Sequence, residues 1–370
     1  MTIPFVNLAS TNDVVYDDYL EDLKEIFATG QFTLGPQVQQ FEETYAKFIG
    51  TKFCVGVGSG SDGLLMALRA LGVGPNDEVI CPAFGYASPA EAVIRVGATP
   101  VFVDVRADSY TLDPDKTLAS ISSRTKAIIP VHLFGHAAEI DRIVTVARTY
   151  SVLVVEDARQ ITGGRNGHRR LGTYGDMAIH SFHPNAPLGG SGDGGAVTTN
   201  DDVRATMVRQ LRNRGLDATG ESHEVIGYYS LLDSVQAALL RQKLQDLDEN
   251  NAECVENARR YNELLLGSPV TTPRFVDEGT YVYNNYVVMA PERERLAAHL
   301  REKGIGCHIP FTTPVHQQPC FAYLNYQVGS FPIAEDLSNR ALCLPIWPGL
   351  KKREIEEVAS AVLEFYGVKT

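Results

Sequence analysis

The stretch FCVGVGSGSDGLLMALRALGVGPNDEVICP, residues 53–82, carries the pattern that decides the fold. It begins with an apolar run at 53–57, passes through a glycine-rich turn into an amphipathic segment at 62–72, and ends in a second apolar run at 78–82. Short runs that are almost continuously apolar are typical of strands covered on both faces. The stretch therefore predicts a strand, a helix and a second strand parallel to the first.

The same alternation continues outward from this stretch to about residue 200. Helical patterns such as EIDRIVTVARTY (139–150) lie between apolar runs. The further strand-like runs lie at 99–105, 126–132, 152–157, 177–182 and 195–199. Strand and helix alternating in this way predict an α/β fold with a mostly parallel sheet.

The last third of the chain has a different pattern and predicts a second, smaller unit. Residues 230–266 form one long helical stretch, followed by a strand-like YVYNNYVVM and by helical segments at 293–303 and 351–366. We therefore predict a large α/β domain with an N-terminal arm over residues 1–245, and a small α+β domain over 246–370.

Composition and charge exclude several classes of protein. A net charge of −12 argues against a nucleic-acid partner, because phosphate backbones bind basic surfaces. No run of 18 apolar residues and no basic-then-apolar leader occurs, so we expect neither a membrane span nor a signal peptide. The six cysteines are scattered without a C-x-x-C pair, which favours free thiols over disulfides or a zinc site. These features predict a cytoplasmic enzyme without a metal that acts on small molecules.

The glycine-rich turn reads Gly58-Ser59-Gly60-Ser61-Asp62-Gly63, a G-x-G-x-x-G that follows a strand and opens a helix. Backbone N–H groups at such a helix start favour an anion, most often phosphate. A dinucleotide site would also need an acid at the end of the next strand, whereas Asp77 and Glu78 stand at its beginning. The motif thus predicts a phosphate site, with an unliganded turn as the alternative. A second glycine run at 190–195 leads into a strand, and we interpret it as a close-packed turn beside the site.

Three strand ends carry side chains suited to a planar, charged cofactor, because ligands of α/β sheets gather at the carboxyl ends of strands. Asp157 ends the run VLVVED and can pair with a pyridinium nitrogen or cap a helix. Tyr86 follows EVICP and can stack on a ring or belong to the core. Ser181 stands at the end of MAIHSF and offers a hydroxyl to phosphate.

Ordered motifs over nearly the whole chain resemble the DegT/DnrJ/EryC1/StrS aminotransferases. The motifs are GQFTLGPQVQQFE, SGSDGLLMALRALGVGPNDEVICPAF, AIIPVHLFG, VVEDARQ, GTYGDMAIHSFHP, LGGSGDGGAVTTND, LDSVQAALLRQKL, HQQPCFAYL and LPIWPGL. The resemblance implies the fold-type I aminotransferase architecture, pyridoxal 5′-phosphate (PLP) or pyridoxamine 5′-phosphate (PMP) as cofactor, and a homodimer with shared active sites. It also implies a keto-sugar, often nucleotide-linked, or a keto-cyclitol as substrate, and glutamate or glutamine as amino donor.

The resemblance assigns roles to individual residues of this chain. Asp157 matches the ring-nitrogen partner, Tyr86 the aromatic that stacks on the ring, and Gln160 the residue near the ring oxygen. The phosphate ligands implied by the resemblance are Gly60, Ser61, Asp62 and Ser181.

The chain departs from the family pattern at the catalytic lysine. The pattern S-F-x-P-x-K here reads Ser181-Phe182-His183-Pro184-Asn185-Ala186. A methyl group can neither form a Schiff base nor move a proton, so we expect no transamination by this chain. Ala186 is either a deliberate lysine knock-out or a natural change that redirects the chemistry. The flanking Pro187-Leu188-Gly189 and the retained Asp157 favour the knock-out.

A second departure concerns the segment implied to reach across the dimer. The family pattern G-Y-N-x-R-L-D reads Gly227-Tyr228-Tyr229-Ser230-Leu231-Leu232-Asp233 here. Tyr229 can donate one hydrogen bond to the partner subunit's cofactor phosphate, but Leu231 cannot replace a guanidinium. The main hypothesis is therefore a keto-sugar aminotransferase in a lysine-free form. The alternative is a natural lysine-free dehydratase, lyase or isomerase, using PLP, PMP or no cofactor, with His183 as the nearest base.

Overall fold

The computed structural model describes residues 2–9, 16–274 and 281–368, which form one seven-stranded sheet, two small sheets and the surrounding helices. The strands are β1 (Phe53–Val57), β2 (Glu78–Pro82), β3 (Thr99–Val103), β4 (Thr125–Ile128), β5 (Leu153–Asp157), β6 (Arg165–Asn166), β7 (Arg169–Arg170), β8 (Met177–Ser181), β9 (Gly195–Thr199), β10 (Tyr286–Met289) and β11 (Ala341–Leu344). The helices are α1 (Tyr16–Thr29), α2 (Pro36–Ile49), α3 (Gly60–Ala70), α4 (Ser88–Arg95), α5 (Pro114–Ala119), α6 (Ile140–Thr149), α7 (Asp202–Arg212), α8 (Ser234–Lys243), α9 (Leu247–Leu264), α10 (Arg293–Glu302), α11 (Pro332–Arg340) and α12 (Lys352–Phe365).

The large sheet has the order β1-β9-β8-β5-β4-β2-β3. Only β9 runs against its neighbours, since it pairs antiparallel with both β1 and β8 while the other neighbouring strands pair parallel. The predicted α/β fold with a mostly parallel sheet is thus confirmed. Because β1, β2, β4, β5 and β8 run in one direction, their carboxyl ends lie along one edge of the sheet.

Helices cover both faces of the sheet, which explains why its strands are apolar on both sides. On β5, Val155 packs in the cluster that contains Leu64 of α3, whereas its neighbour Val154 packs in the cluster that contains Ile143 of α6. Helices α2 and α8 form a further cluster with Phe182, the first residue after β8. The sheet is therefore a buried layer whose carboxyl edge is held rigidly from both sides.

The C-terminal part packs around the antiparallel pair β10–β11 and helices α9, α10 and α12. The helical stretch predicted over 230–266 is broken, because α8 ends at Lys243 and α9 begins at Leu247. The predicted domain boundary at residue 245 lies within this break. Strand β10 contributes to two clusters, since Val287 packs with the large sheet and Val288 with the C-terminal helices.

Two expectations from composition concern the cysteines and the membrane. All six cysteines are free, and four of them are buried. Within residues 2–9, 16–274 and 281–368, no helix is long and apolar enough to cross a membrane.

Candidate active site

The glycine-rich turn joins β1 to α3 at the carboxyl edge of the sheet. Ser59 caps α3, and its side chain accepts a hydrogen bond from the Asp62 N–H at 3.1 Å. Among the described residues, the Gly60 and Ser61 N–H groups donate to no backbone or side-chain acceptor. Two free donors at a helix start suit the anion that the motif predicts, which stays a prediction.

Two close contacts hold this turn in place. A Cβ on Gly195, the first residue of β9, would lie 2.5 Å from the Ser59 carbonyl carbon and 2.6 Å from the Gly60 nitrogen. The second glycine run is therefore packed directly against the phosphate turn, as interpreted from the sequence. The Ser230 hydroxyl accepts from the Gly58 N–H at 2.9 Å and donates to Asp62 Oδ2 at 2.7 Å. Ser230 thus ties the turn to the segment before α8.

Asp157, the last residue of β5, is buried and forms an ion pair with Arg159. Arg159 Nε donates to Asp157 Oδ1 at 2.7 Å, and Nη2 donates to Oδ2 at 2.5 Å. Nη2 also donates to the Ser88 hydroxyl at 2.9 Å. No helix follows β5, because residues 158–164 continue as turns, so the helix-capping alternative for Asp157 is wrong. The carboxylate that was predicted to pair with a ring nitrogen is held by a guanidinium in a bidentate pair.

Tyr86 and Gln160 are brought together beside this ion pair. Gln160 Oε1 accepts from the Phe134 N–H at 2.7 Å, which orients the amide so that Nε2 donates to the Tyr86 hydroxyl at 3.1 Å. The Tyr86 ring is 48% exposed, so it is not the core aromatic of the alternative interpretation. It meets the Phe311 ring edge-on at 4.8 Å and lines a cavity of about 260 Å³.

Ala186 lies in the loop between β8 and β9. Its N–H donates to the His183 carbonyl at 2.7 Å, and the methyl group is half-buried. It lines a cavity of about 90 Å³ together with Tyr283, Trp347 and Lys243. Burial lowers the pKa of Lys243, whose Nζ donates to the Gly189 carbonyl at 2.6 Å. No group that could replace a Schiff-base amine stands at position 186 itself.

Ser181 and Tyr229 lie on the two sides of the phosphate turn. The Ser181 hydroxyl accepts from the His183 N–H at 3.3 Å. Tyr229 is 63% exposed, and the Arg214 guanidinium lies over its ring at 4.3 Å. Tyr229 lines a cavity of about 350 Å³ together with Ser59 and three carboxylates, which belong to Asp62, Asp193 and Asp233. Tyr229 therefore lies beside the phosphate turn of its own chain.

Three histidines surround the site but differ in accessibility. His132 is buried, accepts from the Ala138 N–H through Nδ1 and contacts Glu156 through Nε2 at 3.2 Å. Burial lowers the pKa of His180 to about 4, so this histidine is neutral at physiological pH and a poor base. His183 is exposed, and its Nδ1 accepts from the Asn185 N–H at 3.2 Å. Of the three, only His183 is accessible to a ligand.

The phosphate end of PLP fits this arrangement, but the ring end does not. The free N–H groups of Gly60 and Ser61 and the nearby Ser181 hydroxyl suit a phosphate. A pyridinium nitrogen at Asp157 would have to take both carboxylate oxygens away from Arg159. Neither Asp157 nor Ser181 lines the cavities around Tyr86, the phosphate turn and Ala186.

Two residues at the centre of the site were missed from the sequence. Arg159 lies in the motif VVEDARQ, and its spacing is the signal that could have identified it, because an arginine two residues after a carboxylate can pair with it locally. Ser230 lies in the segment that departs from the family pattern, and its partners Gly58 and Asp62 lie far from it in sequence. Only the three-dimensional fold brings Ser230 to the turn.

Comparison with characterised proteins shows nucleotide-sugar aminotransferases among the relatives. The pleiotropic regulatory protein of Geobacillus stearothermophilus is 38% identical over 99% of both chains. The dTDP-3-amino-3,4,6-trideoxy-α-D-glucose transaminase of Streptomyces venezuelae is 38% identical, over 98% of this chain and 96% of that protein. The UDP-2-acetamido-2-deoxy-3-oxo-D-glucuronate aminotransferase of Pseudomonas aeruginosa is 36% identical, over 97% of this chain and 99% of that protein.

Solved structures agree with the fold over the whole chain. DesV of S. venezuelae, in complex with a ketimine intermediate, superposes with a TM-score of 0.96 at 37% identity and full coverage of both chains. The ntda protein of Bacillus subtilis, with bound PMP, superposes with a TM-score of 0.91 at 27% identity, over 99% of this chain and 85% of that one. The family model for DegT/DnrJ/EryC1/StrS aminotransferases matches residues 15–363. The chain therefore belongs to this PLP-dependent aminotransferase family, as its ordered motifs predict.

Proposed function

We propose that this chain binds a nucleotide-linked keto-sugar or amino-sugar at the carboxyl edge of its sheet and does not itself transfer the amino group. The observation that supports the proposal is that Asp157, Tyr86, Gln160 and the phosphate turn follow the carboxyl ends of strands at one edge of the sheet, where the loop after β8 presents alanine at position 186. The site keeps the groups that orient a ligand and lacks the one that would carry a Schiff base and move protons.

The substrate class is supported by the relatives whose substrates are dTDP- and UDP-linked sugars. A keto-cyclitol is the other substrate that the family resemblance implies. The amino donor to test is glutamate or glutamine. We expect the protein to work as a cytoplasmic homodimer. Because the ring position does not fit, no catalytic step through PLP is part of the proposal.

The test measures sugar binding and amino transfer separately on the protein as given. Calorimetric titration with UDP-glucose and dTDP-glucose should show saturable binding, whereas glucose alone should show none. With PLP, a keto-sugar nucleotide and ¹⁵N-labelled glutamate or glutamine, the amine of the sugar should carry no label. Rapid labelling of the sugar, or the absence of any binding of sugar nucleotides, would contradict the proposal.

A second candidate, a cofactor-independent sugar lyase, dehydratase or isomerase, is favoured by one observation. Arg159 neutralises Asp157 without a cofactor, and His183 remains exposed beside Ser181 and can act as a base. Such an enzyme would exchange a sugar proton next to the carbonyl for deuterium in D₂O. His183→Ala should abolish this exchange and leave sugar binding unchanged. No exchange with any keto-sugar nucleotide would remove this candidate.

A further inference from the structure

The side chain of Arg159 lies against two of the residues that the family resemblance assigns to the cofactor, Asp157 and Tyr86. Its guanidinium holds both oxygens of Asp157 and the hydroxyl of Ser88. Its Cζ lies 5.9 Å from the centre of the Tyr86 ring. The ring-nitrogen partner and the stacking aromatic are therefore both neighbours of one arginine.

The aliphatic part of Arg159 fills the space between the phosphate turn and β8. A Cβ placed on Gly60 would lie 2.7 Å from Arg159 Cδ and 3.0 Å from Ser181 Cβ. Gly60 thus makes room for the arginine side chain, which is only 12% exposed. The volume bounded by Gly60, Ser181, Asp157 and Tyr86 is occupied by a side chain of the protein itself.

The chemistry of the pair makes this occupant difficult to displace. An arginine remains charged at any physiological pH, so it cannot release Asp157 by losing a proton. A bidentate guanidinium–carboxylate pair satisfies two lone pairs with a matched geometry, whereas a ring N–H offers a single hydrogen bond. A ring that entered would also have to leave the buried guanidinium without its partner, which is unfavourable.

We propose that Arg159 is an internal occupant of the pyridine-ring position, which excludes PLP and PMP from Asp157 in this chain. Arg159 and Ala186 then both act against cofactor binding. Arg159 fills the ring position, and Ala186 lacks the amine that would form the covalent bond. Cofactor exclusion rests on the proposed function only in that the sugar is placed at the same edge of the sheet. It is measured independently of sugar binding. It also favours a natural change at position 186 over a knock-out.

The test compares cofactor binding among matched variants. PMP is titrated against the wild type and Arg159→Ala, with intrinsic fluorescence and thermal protection as readouts. Removal of the occupant should tighten PMP binding at least about tenfold. Arg170→Ala is the matched control, because Arg170 is also buried and forms a bidentate pair, with Asp248, away from the ring position. This control should leave PMP affinity unchanged.

A second pair of variants keeps the test decisive if Arg159→Ala does not fold. Ala186→Lys restores an amine while Arg159 stays in place, and should take up little PLP after borohydride reduction, as measured by intact mass. The combined variant Ala186→Lys/Arg159→Ala should gain the mass of reduced PLP at position 186. Efficient PLP attachment to Ala186→Lys alone, or equal PMP affinity of the wild type and Arg159→Ala, would overturn the inference.

Titration of UDP-glucose and dTDP-glucose on the same variants separates the two proposals. Sugar binding without a gain in PMP affinity on removal of Arg159 would leave the proposed function standing and refute the internal occupant. A gain in PMP affinity without any sugar binding would support the internal occupant and refute the proposed function.

Discussion

Glu156, the residue before Asp157, is fully buried and gathers four hydrogen bonds. Its Oε1 accepts from the N–H groups of Tyr174 and Gly175 at 2.5 and 2.7 Å, and its Oε2 accepts from the Gly172 N–H at 2.9 Å. His132 supplies the fourth bond, because its Nδ1 accepts from a backbone N–H and its Nε2 must therefore carry the proton. Glu156 thus fixes the end of β5, from which Asp157 projects.

Replacing Glu156 by Gln tests this anchor. The amide nitrogen of the new side chain would face N–H donors in either orientation of the amide, because both oxygens of Glu156 accept hydrogen bonds. We therefore expect the free energy of unfolding to fall by about 2–4 kcal/mol. Urea denaturation of Glu156→Gln measures the loss. Glu263→Gln, at an exposed site on α9, is the control and should change the stability little. An unchanged stability of Glu156→Gln would show that the carboxylate is not needed.

The effect of Glu156→Gln on the free energy of unfolding should depend on pH. Burial by itself acts to raise the pKa of Glu156, but the bonds from His132 and the backbone N–H groups outweigh it and hold this pKa below its ordinary value of 4.5. A lowered pKa in the folded state contributes stability that is complete above about pH 4.5 and is lost as the pH falls through the folded-state pKa. The stability difference between wild type and Glu156→Gln should therefore shrink as the pH falls below about 4.5.

At the same scale, the position of Arg159 could not be predicted from its local sequence. The sequence places a carboxylate and a guanidinium two residues apart, which permits a pair but does not require one. The pair is buried because Ser88 and Gly60, both about 70 or more residues earlier in the chain, border the arginine. The glycine motif predicted a phosphate at the helix start, and it gave no sign that the Arg159 side chain lies close to Gly60.

At the scale of elements, the contact between β9 and the start of α3 sets the geometry of the phosphate turn. The neighbours of the missing Cβ of Gly195 are backbone atoms of Ser59 and Gly60, which cannot rotate away as a flexible side chain would. Any side chain at residue 195 must therefore separate β9 from the turn or distort the cap of α3.

Gly195→Ala tests this contact. We expect a loss of about 1–3 kcal/mol in unfolding free energy and faster hydrogen exchange at the start of α3, because overpacking against backbone forces both elements apart. Gly74→Ala is the matched control, since its nearest atom would lie 3.9 Å away in ordinary contact. Equal stability and exchange in the two variants would mean that the turn does not depend on β9.

The element boundaries show what periodicity can and cannot predict. The strands and the start of α3 at Gly60 follow from short apolar runs and the glycine motif. The break between α8 and α9 was missed because apolar residues continue at helical spacing across it, and Leu240, Leu244 and Leu247 all remain buried in one cluster. The hydrophobic pattern was satisfied by two helices as well as by one.

At the scale of the whole molecule, an apolar surface adjoins the predicted phosphate site. Phe27 is 69% exposed, and its ring meets the exposed Phe32 ring edge-on at 5.3 Å. The Phe32 carbonyl accepts from the Ser234 N–H, and Thr33 lines the same cavity as Tyr229. Exposed aromatic rings in mutual contact indicate a contact with another protein. Its continuity with the Tyr229 cavity favours a second copy of this chain, in line with the homodimer that the resemblance implies.

The double variant Phe27→Glu/Phe32→Glu tests the dimer. Four charges buried across a two-fold interface would be unfavourable, so sedimentation should change from a dimer in the wild type to a monomer in the variant. Leu266→Glu is the control, because Leu266 is 86% exposed just after the end of α9. This variant should remain dimeric. If the sites are shared, the monomeric variant should also bind UDP-glucose at least about tenfold more weakly than the control. A wild type that sediments as a monomer and still binds the sugar nucleotide would show that each chain forms a complete site alone.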